Sequence, residues 1–276
     1  MIEFRIDPQR CIGCGECVQD CPAGVLAMVS DQPEVVPERA ERCIACQHCL
    51  AICPTAALSI FGLDPDQSQS AAEGLPGQEQ MERLILARRS VRRFKPDPVD
   101  PARIARLMQP LAATPTGRNN RDLILTLVDD PAVMHQYRRL TYHGLDLARK
   151  NQRLPQGMEF LGTLADRYAQ GQDIIFRNAP HMLVASTKED GPTPDADCFI
   201  RLNSFELLAA SAGLGTLWCG FAHMAMLAVP ELALALQLPD GYRPGYVMLF
   251  GEPDVRYHRT VQRGPVDVRR LRLQNA

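Results

Sequence analysis

Cysteine is the residue that most restricts the fold of this sequence, because eight of its ten cysteines fall in one short stretch near the N-terminus. The pattern C-x2-C-x2-C-x3-C-P occurs twice there, and the second copy follows the first by 32 residues. The segments after the two copies also match, as CPAGVLAMV and CPTAALSIF. This internal repeat predicts a small duplicated domain over residues 1–61.

The cysteine spacing indicates iron–sulfur clusters. The first residues lack the apolar stretch of a secretory signal, so a disulfide framework is not expected. A pair of zinc sites is the alternative, but zinc usually takes two separated C-x2-4-C pairs. Three thiolates in one loop suit three corners of an iron–sulfur cube, and the cysteine before proline ligates the other cluster. We therefore expect two [4Fe–4S] clusters, one on Cys11, Cys14, Cys17 and Cys53, the other on Cys43, Cys46, Cys49 and Cys21.

The N-terminal motifs closely resemble bacterial-type ferredoxins with two [4Fe–4S] clusters, and the resemblance covers most of residues 1–61. Residues 62–80 are rich in Gly, Ser, Gln and Pro, which is typical of a linker. Residues 81–276 then form a second predicted domain. Cys198 and Cys219 lie outside both motifs, and we expect both side chains to be small apolar core residues.

Composition excludes several classes of protein. With 46% hydrophobic residues and a net charge of −2, the chain is expected to fold, and no bulk positive field favours nucleic acid. The uncharged run from Leu207 to Pro230 has the length of a membrane span, but Gly, Ser, Thr and His residues interrupt it. We expect no membrane span and a cytoplasmic location.

The second domain alternates helical and strand patterns. Asp100 before Pro101 marks a helix start. The nearly continuous apolar runs 122–128, 181–186 and 246–250 predict strands buried on both faces. Residues 202–212 predict a buried helix that ends at Gly213. These patterns indicate a central mixed sheet flanked by helices, in an α+β or α/β arrangement.

Four short stretches of this domain could face a ligand, although each alone could equally be a polar loop. Guanidinium and hydroxyl groups suit a phosphate or the edge of a cofactor ring, and glycines let the backbone approach a ligand closely. The stretches are RRSVRRF (88–94), TPTGRNN (114–120), GLGTLWCGF (213–221) and YHR (257–259).

In this order and spacing, the four stretches resemble the nitroreductase family of FMN flavoproteins over about residues 81–260. The resemblance implies an α+β fold, a homodimer and FMN at the subunit interface. It implies that Arg88 and Arg259 hold the FMN phosphate, that Arg89 belongs to the same site, and that Ser90 and Arg92 lie near the phosphate–ribityl or pyrimidine side. It also implies a contact of Asn119 with the ring edge and of the Gly220 N–H with N5 or O4, with Cys219 beside it.

The two resemblances together imply an enzyme that passes electrons from two [4Fe–4S] clusters to FMN and on to an organic acceptor such as a nitroaromatic or quinone. The expected donor is reduced ferredoxin or NAD(P)H. One alternative is an electron-transfer module for a protein partner, and another is a reductive dehalogenase or flavin-converting enzyme on the same fold. No catalytic residue is assigned, and the candidate proton donors, expected in loops or turns, are Tyr142, His143 and His223.

Overall fold

A computed structural model describes residues 2–272. Contacts between residues divide the chain into two units. The first unit comprises Met1–Leu75 together with the separate segments Pro115–Asp122 and Asp190–Asp197. The second comprises Pro76–Thr114, Leu123–Glu189 and Cys198–Ala276.

The first unit repeats one small arrangement twice. Strand β1 pairs with β4, and β2 pairs with β3, both antiparallel. Each cysteine motif contains one short helix, and the two helices are offset by the 32 residues of the sequence repeat. Valine, leucine and isoleucine side chains pack with the cysteines into a small core. The elements are β1 (Phe4–Ile6), α1 (Glu16–Gln19), β2 (Leu26–Val29), β3 (Gln32–Val35), α2 (His48–Ala51) and β4 (Leu58–Ile60).

The observed division differs from the continuous domains predicted by the sequence. Residues 62–75 of the predicted linker group with the first unit, and helix α3 (Gln78–Ala87) begins within that linker. Two segments assigned by sequence to the second domain, 115–122 and 190–197, also group with the first unit. Composition marks the polar stretch but not these contacts, because they join residues far apart in the chain.

The second unit is built on one four-stranded sheet with helices on both faces. Strand order is β5-β6-β8-β7, and every neighbouring pair is antiparallel. The expectation of mixed strand directions is therefore wrong for the sheet. Within residues 2–272, parallel pairing is limited to one isolated bridge, between Ser90 and Thr216. The further elements are α4 (Pro101–Met108), β5 (Leu123–Val128), α5 (Pro131–Lys150), α6 (Phe160–Ala169), β6 (His181–Lys188), α7 (Pro194–Ser211), β7 (Gly215–Trp218), α8 (Gly220–Ala228), α9 (Pro230–Leu234) and β8 (Tyr242–Gly251).

Burial of the sheet on both faces explains its apolar strands. Alternate residues of β6 enter different cores: Met182 and Val184 pack in one, Leu183 and Ala185 in the other. Successive strand side chains point to opposite faces, so both faces require apolar residues. The predicted α+β class is confirmed, and β6 and most of β8 are buried as expected. The expectation that residues 122–128 are buried on both faces is wrong, because β5 lies at the edge of the sheet and is only half-buried except at Val128.

The structure confirms the predicted start of helix α4 and places the candidate proton donors elsewhere than predicted. Asp100 caps α4 as predicted, because its side chain accepts a hydrogen bond from the Ala102 N–H at 2.8 Å. The expectation that Tyr142, His143 and His223 lie in loops or turns is wrong, since the first two lie in α5 and the third in α8.

Among the described residues, no helix is both long and apolar enough to cross a membrane.

Candidate functional site

Motif cysteines of the first unit gather into two groups that cross between the motifs. The first group contains Cys14, Cys17 and Cys53, and the second contains Cys21, Cys43, Cys46 and Cys49. Cys17 lies close enough to Cys53 and Cys14 for their charges to raise its pKa, although burial is the largest cause. Burial likewise raises the pKa of Cys49 to about 11, with smaller contributions from Cys46 and Cys21. The structure thus brings each cysteine before proline to the opposite motif, as a cluster-sharing arrangement requires.

The backbone around each cysteine before proline follows the same pattern in both repeats. The Val25 N–H donates to the sulfur of Cys21 at 3.4 Å, and the Ala57 N–H donates to that of Cys53 at 3.2 Å. Burial raises the pKa of Cys53, but hydrogen bonds from the backbone and from the Thr55 hydroxyl outweigh it, and the net shift is downward. Such donors stabilise thiolate, the form that ligates iron.

The donor set fits iron–sulfur clusters. All eight thiols are free of disulfides. Across residues 2–272, no three Cys, His, Asp or Glu side chains converge closely enough to hold a single ion. A cube spreads its thiolates over its corners, and the two crossed groups offer sulfur ligands for such an arrangement. One cavity is lined by all four cysteines of the second group, namely Cys21, Cys43, Cys46 and Cys49.

A cavity of about 200 Å³ in the second unit joins three of the predicted FMN residues. Arg92 lines it from the RRSVRRF stretch, while Cys219 and Gly220 line it from the turn between β7 and α8. Gly220 is the first residue of α8, where backbone N–H groups have no acceptor within the helix. A cation and these N–H donors suit the electron-rich edge of a flavin ring.

The RRSVRRF stretch runs beside β7, and the buried carboxylate of Glu206 holds its first residue. The Val91 N–H donates to the Thr216 carbonyl at 2.8 Å. Glu206 accepts hydrogen bonds from Arg88 at 3.1 Å and from the Thr216 hydroxyl at 3.2 Å. Arg89 donates to the carbonyl of Arg88 at 2.6 Å. The pairing with Glu206 orients Arg88, whose predicted phosphate contact stays a prediction.

Cys219 is a buried thiol at the wall of this cavity. Its sulfur donates to the Ile175 carbonyl at 3.2 Å. Burial raises the pKa of Cys219 to about 12, and the nearby Arg177 lowers it only slightly. The thiol therefore stays protonated near neutral pH, in agreement with the small core residue expected from sequence.

The remaining predicted FMN residues lie at different places. Ser90 accepts a 3.5 Å hydrogen bond at its carbonyl from Tyr257, two residues before Arg259. Arg259 itself is exposed. Asn119 lies in the first unit, where its side-chain amide donates to the Ile44 carbonyl at 2.8 Å. The FMN contacts of these residues stay predictions.

The hydroxyl of Tyr142, a candidate proton donor, has two buried partners, and Tyr142 is not among the residues that line the cavity. Its hydroxyl donates to Asp173 at 2.7 Å and accepts from the Ile175 N–H at 2.8 Å. Burial, with Asp173 beside it, raises the pKa of Tyr142 far above its usual range. Arg138 pairs with the same buried carboxylate at 2.8 Å. This network holds the turn that forms one wall of the cavity.

Sequence reasoning missed Arg177 and Tyr246. Arg177 lines the cavity from the turn that Asp173 holds, and its φ of 56° is left-handed. The Tyr246 hydroxyl lies beside Gly220, where a Cβ would approach it to 3.2 Å. The FRNAP stretch (176–180) before β6 weakly indicates a turn, but no sequence pattern predicts that Arg177 lines a cavity.

Comparison with known protein families places both halves of the chain. Residues 85–252 match the nitroreductase family, and residues 4–60 match a 4Fe-4S dicluster domain. No curated protein sequence matches the chain significantly. The predicted pairing of these two families in one chain is confirmed.

Solved structures with the fold of the second unit are remote in sequence. A nitroreductase with bound FMN from Bacteroides fragilis shares 16% identity at a TM-score of 0.56, covering 68% of this chain and 98% of its own. One from Desulfitobacterium hafniense, also with FMN, shares 22% at 0.53, covering 66% and 93%. An iodotyrosine deiodinase bound to FMN and 3-iodo-L-tyrosine shares 18% at 0.50, covering 68% and 97%. With a family match over more than half of its length, the chain belongs to the nitroreductase family and carries an N-terminal 4Fe-4S dicluster domain.

Proposed function

We propose that this protein is an FMN-dependent oxidoreductase that passes electrons from two [4Fe–4S] clusters to FMN and on to a small organic acceptor, such as a nitroaromatic or a quinone. The observation that carries the proposal is the cavity on which Arg92 and Gly220 converge, in a chain that also holds two crossed groups of cysteines. The FMN bound by nitroreductases of the same fold supports the choice of cofactor.

When bound, the clusters supply electrons singly at low potential, and FMN collects two for delivery to the acceptor. The chain's own residues bind and orient. Arg92 places positive charge at the cavity wall, where it favours a flavin that has gained electrons. The backbone N–H of Gly220 would donate to the edge of the flavin ring. The residues that would hold the phosphate and the ribityl chain are Arg88, Arg89, Ser90 and Arg259.

The donor and the assembly are part of the same proposal. Reduced ferredoxin or NAD(P)H supplies the electrons. The family fold favours a homodimer with FMN at the subunit interface, and we place the protein in the cytoplasm. Binding of FMN does not require the eight cysteines. Electron transfer through the first unit would give them a function.

Reductive dehalogenation is the second candidate function. The solved iodotyrosine deiodinase has this fold and holds 3-iodo-L-tyrosine with FMN. Such a reaction would use the same two electrons and one proton to replace the carbon–halogen bond by a carbon–hydrogen bond, and it would release halide. An electron-transfer module without a small substrate is the other alternative. Products formed from nitroaromatics, quinones and halogenated phenols separate the three.

Stopped-flow reduction of the bound FMN tests the proposal. NADH, NADPH and reduced ferredoxin are compared as donors in the wild type and in Cys17→Ser, which removes one thiol of the first group. The proposal predicts at least one donor whose reduction of FMN is slowed about tenfold or more in Cys17→Ser. Cys198→Ala is the matched control, because Cys198 is buried in the second unit outside both groups. Equal reduction rates for every donor would make the cysteine-rich unit dispensable.

A further inference from the structure

The two cysteine loops differ where the backbone turns left-handed. The first loop has glycine at these positions, Gly13 at φ 67° and Gly15 at φ 74°. Their counterparts 32 residues later are Ala45 at φ 52° and Gln47 at φ 63°. A Cβ makes this region unfavourable for residues other than glycine. The backbone of the second loop is therefore the more strained of the two, and contacts with residues outside the loop are needed more there to stabilise it.

Asn119 contacts this strained loop. Its Nδ2 donates to the carbonyl oxygen of Ile44 at 2.8 Å, directly before Ala45. Ile44 and Ala45 line the cavity shared by the four cysteines of the second group. Ile12, the counterpart of Ile44 in the first repeat, is 67% exposed. The contact therefore fixes one peptide of the second loop and distinguishes the two repeats.

The turn that carries Asn119 is itself held firmly within the first unit. The Gly117 N–H donates to the carboxylate of Asp197 at 3.0 Å, and the Thr193 hydroxyl donates to the same oxygen at 2.8 Å. Asp197 is only 3% exposed. A Cβ at Gly117 would collide with Thr193, so glycine allows the two segments to approach. The turn that carries Asn119 is therefore held in place by hydrogen bonds to Asp197.

We propose that Asn119 is a positioning residue for the second cluster-binding loop. In a trans peptide the C=O and the following N–H point in opposite directions, and the described backbone contains no cis peptide. Holding the Ile44 carbonyl therefore also sets the direction of the Ala45 N–H. N–H groups around cluster sulfurs tune the reduction potential. This inference rests on the proposed function, because it presupposes that the clusters are bound.

Asn119→Ala tests the role when it is combined with one ligand variant at a time. In Cys17→Ser the second group remains complete, and in Cys49→Ser the first group does. We expect Asn119→Ala to accelerate iron release to a chelator about fivefold in the Cys17→Ser background, as loss of one hydrogen bond predicts, and to shift the cluster midpoint potential measured by EPR. In the Cys49→Ser background neither quantity should change. Arg118→Ala, at an exposed neighbour in the same turn, is the control.

Ala45→Gly provides the rescue. Glycine removes the left-handed strain, so Asn119→Ala with Ala45→Gly should return iron release towards the wild-type rate. A flavin contact of Asn119 would not be restored in this way. If a cysteine variant does not bind its remaining cluster, Asn119→Ala is made in the chain with all eight cysteines. A redox titration must then show a shift in the midpoint potential of one of the two clusters. An unchanged release rate, or an equal change in both backgrounds, overturns the positioning role. A wild type without sulfide overturns the proposed function instead.

Discussion

Arg88 donates to Glu206 across 3.1 Å, and the carboxylate that receives it is 4% exposed. Glu206 lies in helix α7 and also accepts from Thr216 in strand β7. One buried carboxylate therefore joins the RRSVRRF stretch, a helix and an edge strand. This contact fixes the start of the stretch that leads to Arg92 at the cavity.

Removal of this carboxylate should destabilise the second unit. Glu206→Ala leaves the Arg88 guanidinium without its partner, and loss of one member of a buried pair costs about 3 kcal/mol. Glu206→Gln keeps an acceptor oxygen and should cost less. Urea unfolding followed by the fluorescence of Trp218, the single tryptophan, measures both. Glu189→Ala, at an exposed site, should stay within about 0.5 kcal/mol of wild type. A similarly small change in Glu206→Ala would show that the pair is not stabilising.

Arg92→Ala should make bound FMN harder to reduce. Without the cation at the cavity wall, negative charge on the reduced ring is less stabilised, and we expect a midpoint potential lower by about 30 mV, which corresponds to about 1.4 kcal/mol for two electrons. Spectroelectrochemical titration of the FMN-loaded protein provides the value. Arg93→Ala is the matched control, because the neighbouring guanidinium donates to the Asp254 carbonyl at 2.7 Å. Equal potentials in wild type and Arg92→Ala would remove the proposed role.

Cys219 should make the protein less stable in alkali. Burial raises the pKa of Cys219 to about 12 from its ordinary 9.0. Between these values the unfolded chain binds fewer protons than the folded one, so stability falls as pH rises. The contribution lost between pH 9 and pH 10 is about 1 kcal/mol. Urea unfolding at both pH values should therefore show a smaller decline in Cys219→Ala than in wild type. Parallel declines would contradict the buried, protonated thiol.

Tyr142→Phe should reduce stability without changing how catalysis depends on pH. The substitution leaves the Ile175 N–H without its 2.8 Å partner, which costs about 1–3 kcal/mol for a buried donor. Because burial raises the pKa of Tyr142 far above its usual range, we expect the hydroxyl to stay protonated across the pH range of the assay and to add no titration to the profile. The pH profile of acceptor reduction per bound FMN should match that of wild type. Loss of turnover in a folded, FMN-loaded variant would restore Tyr142 as a donor.

The sequence predicted most of this organisation, because periodic spacing records local structure. The doubled cysteine motif identified the repeat, and the apolar runs identified β5, β6 and β8. Burial on both faces explains the run in β6, whereas the edge strand β5 is only half-buried. It did not predict the contact of Asn119 with Ile44, which joins residues 75 positions apart. It also missed Arg177, whose charge acts on Cys219 from a turn far away in the sequence. Such contacts arise from tertiary packing and leave no local period.

Chemical composition of the native protein tests the central claim most directly. The full chain, purified without oxygen, is analysed for iron, acid-labile sulfide and flavin per polypeptide. Two [4Fe–4S] clusters with one FMN predict about eight iron atoms, about eight sulfides and about one flavin. One zinc per group of four cysteines with no sulfide, or a colourless protein without flavin, would contradict the account.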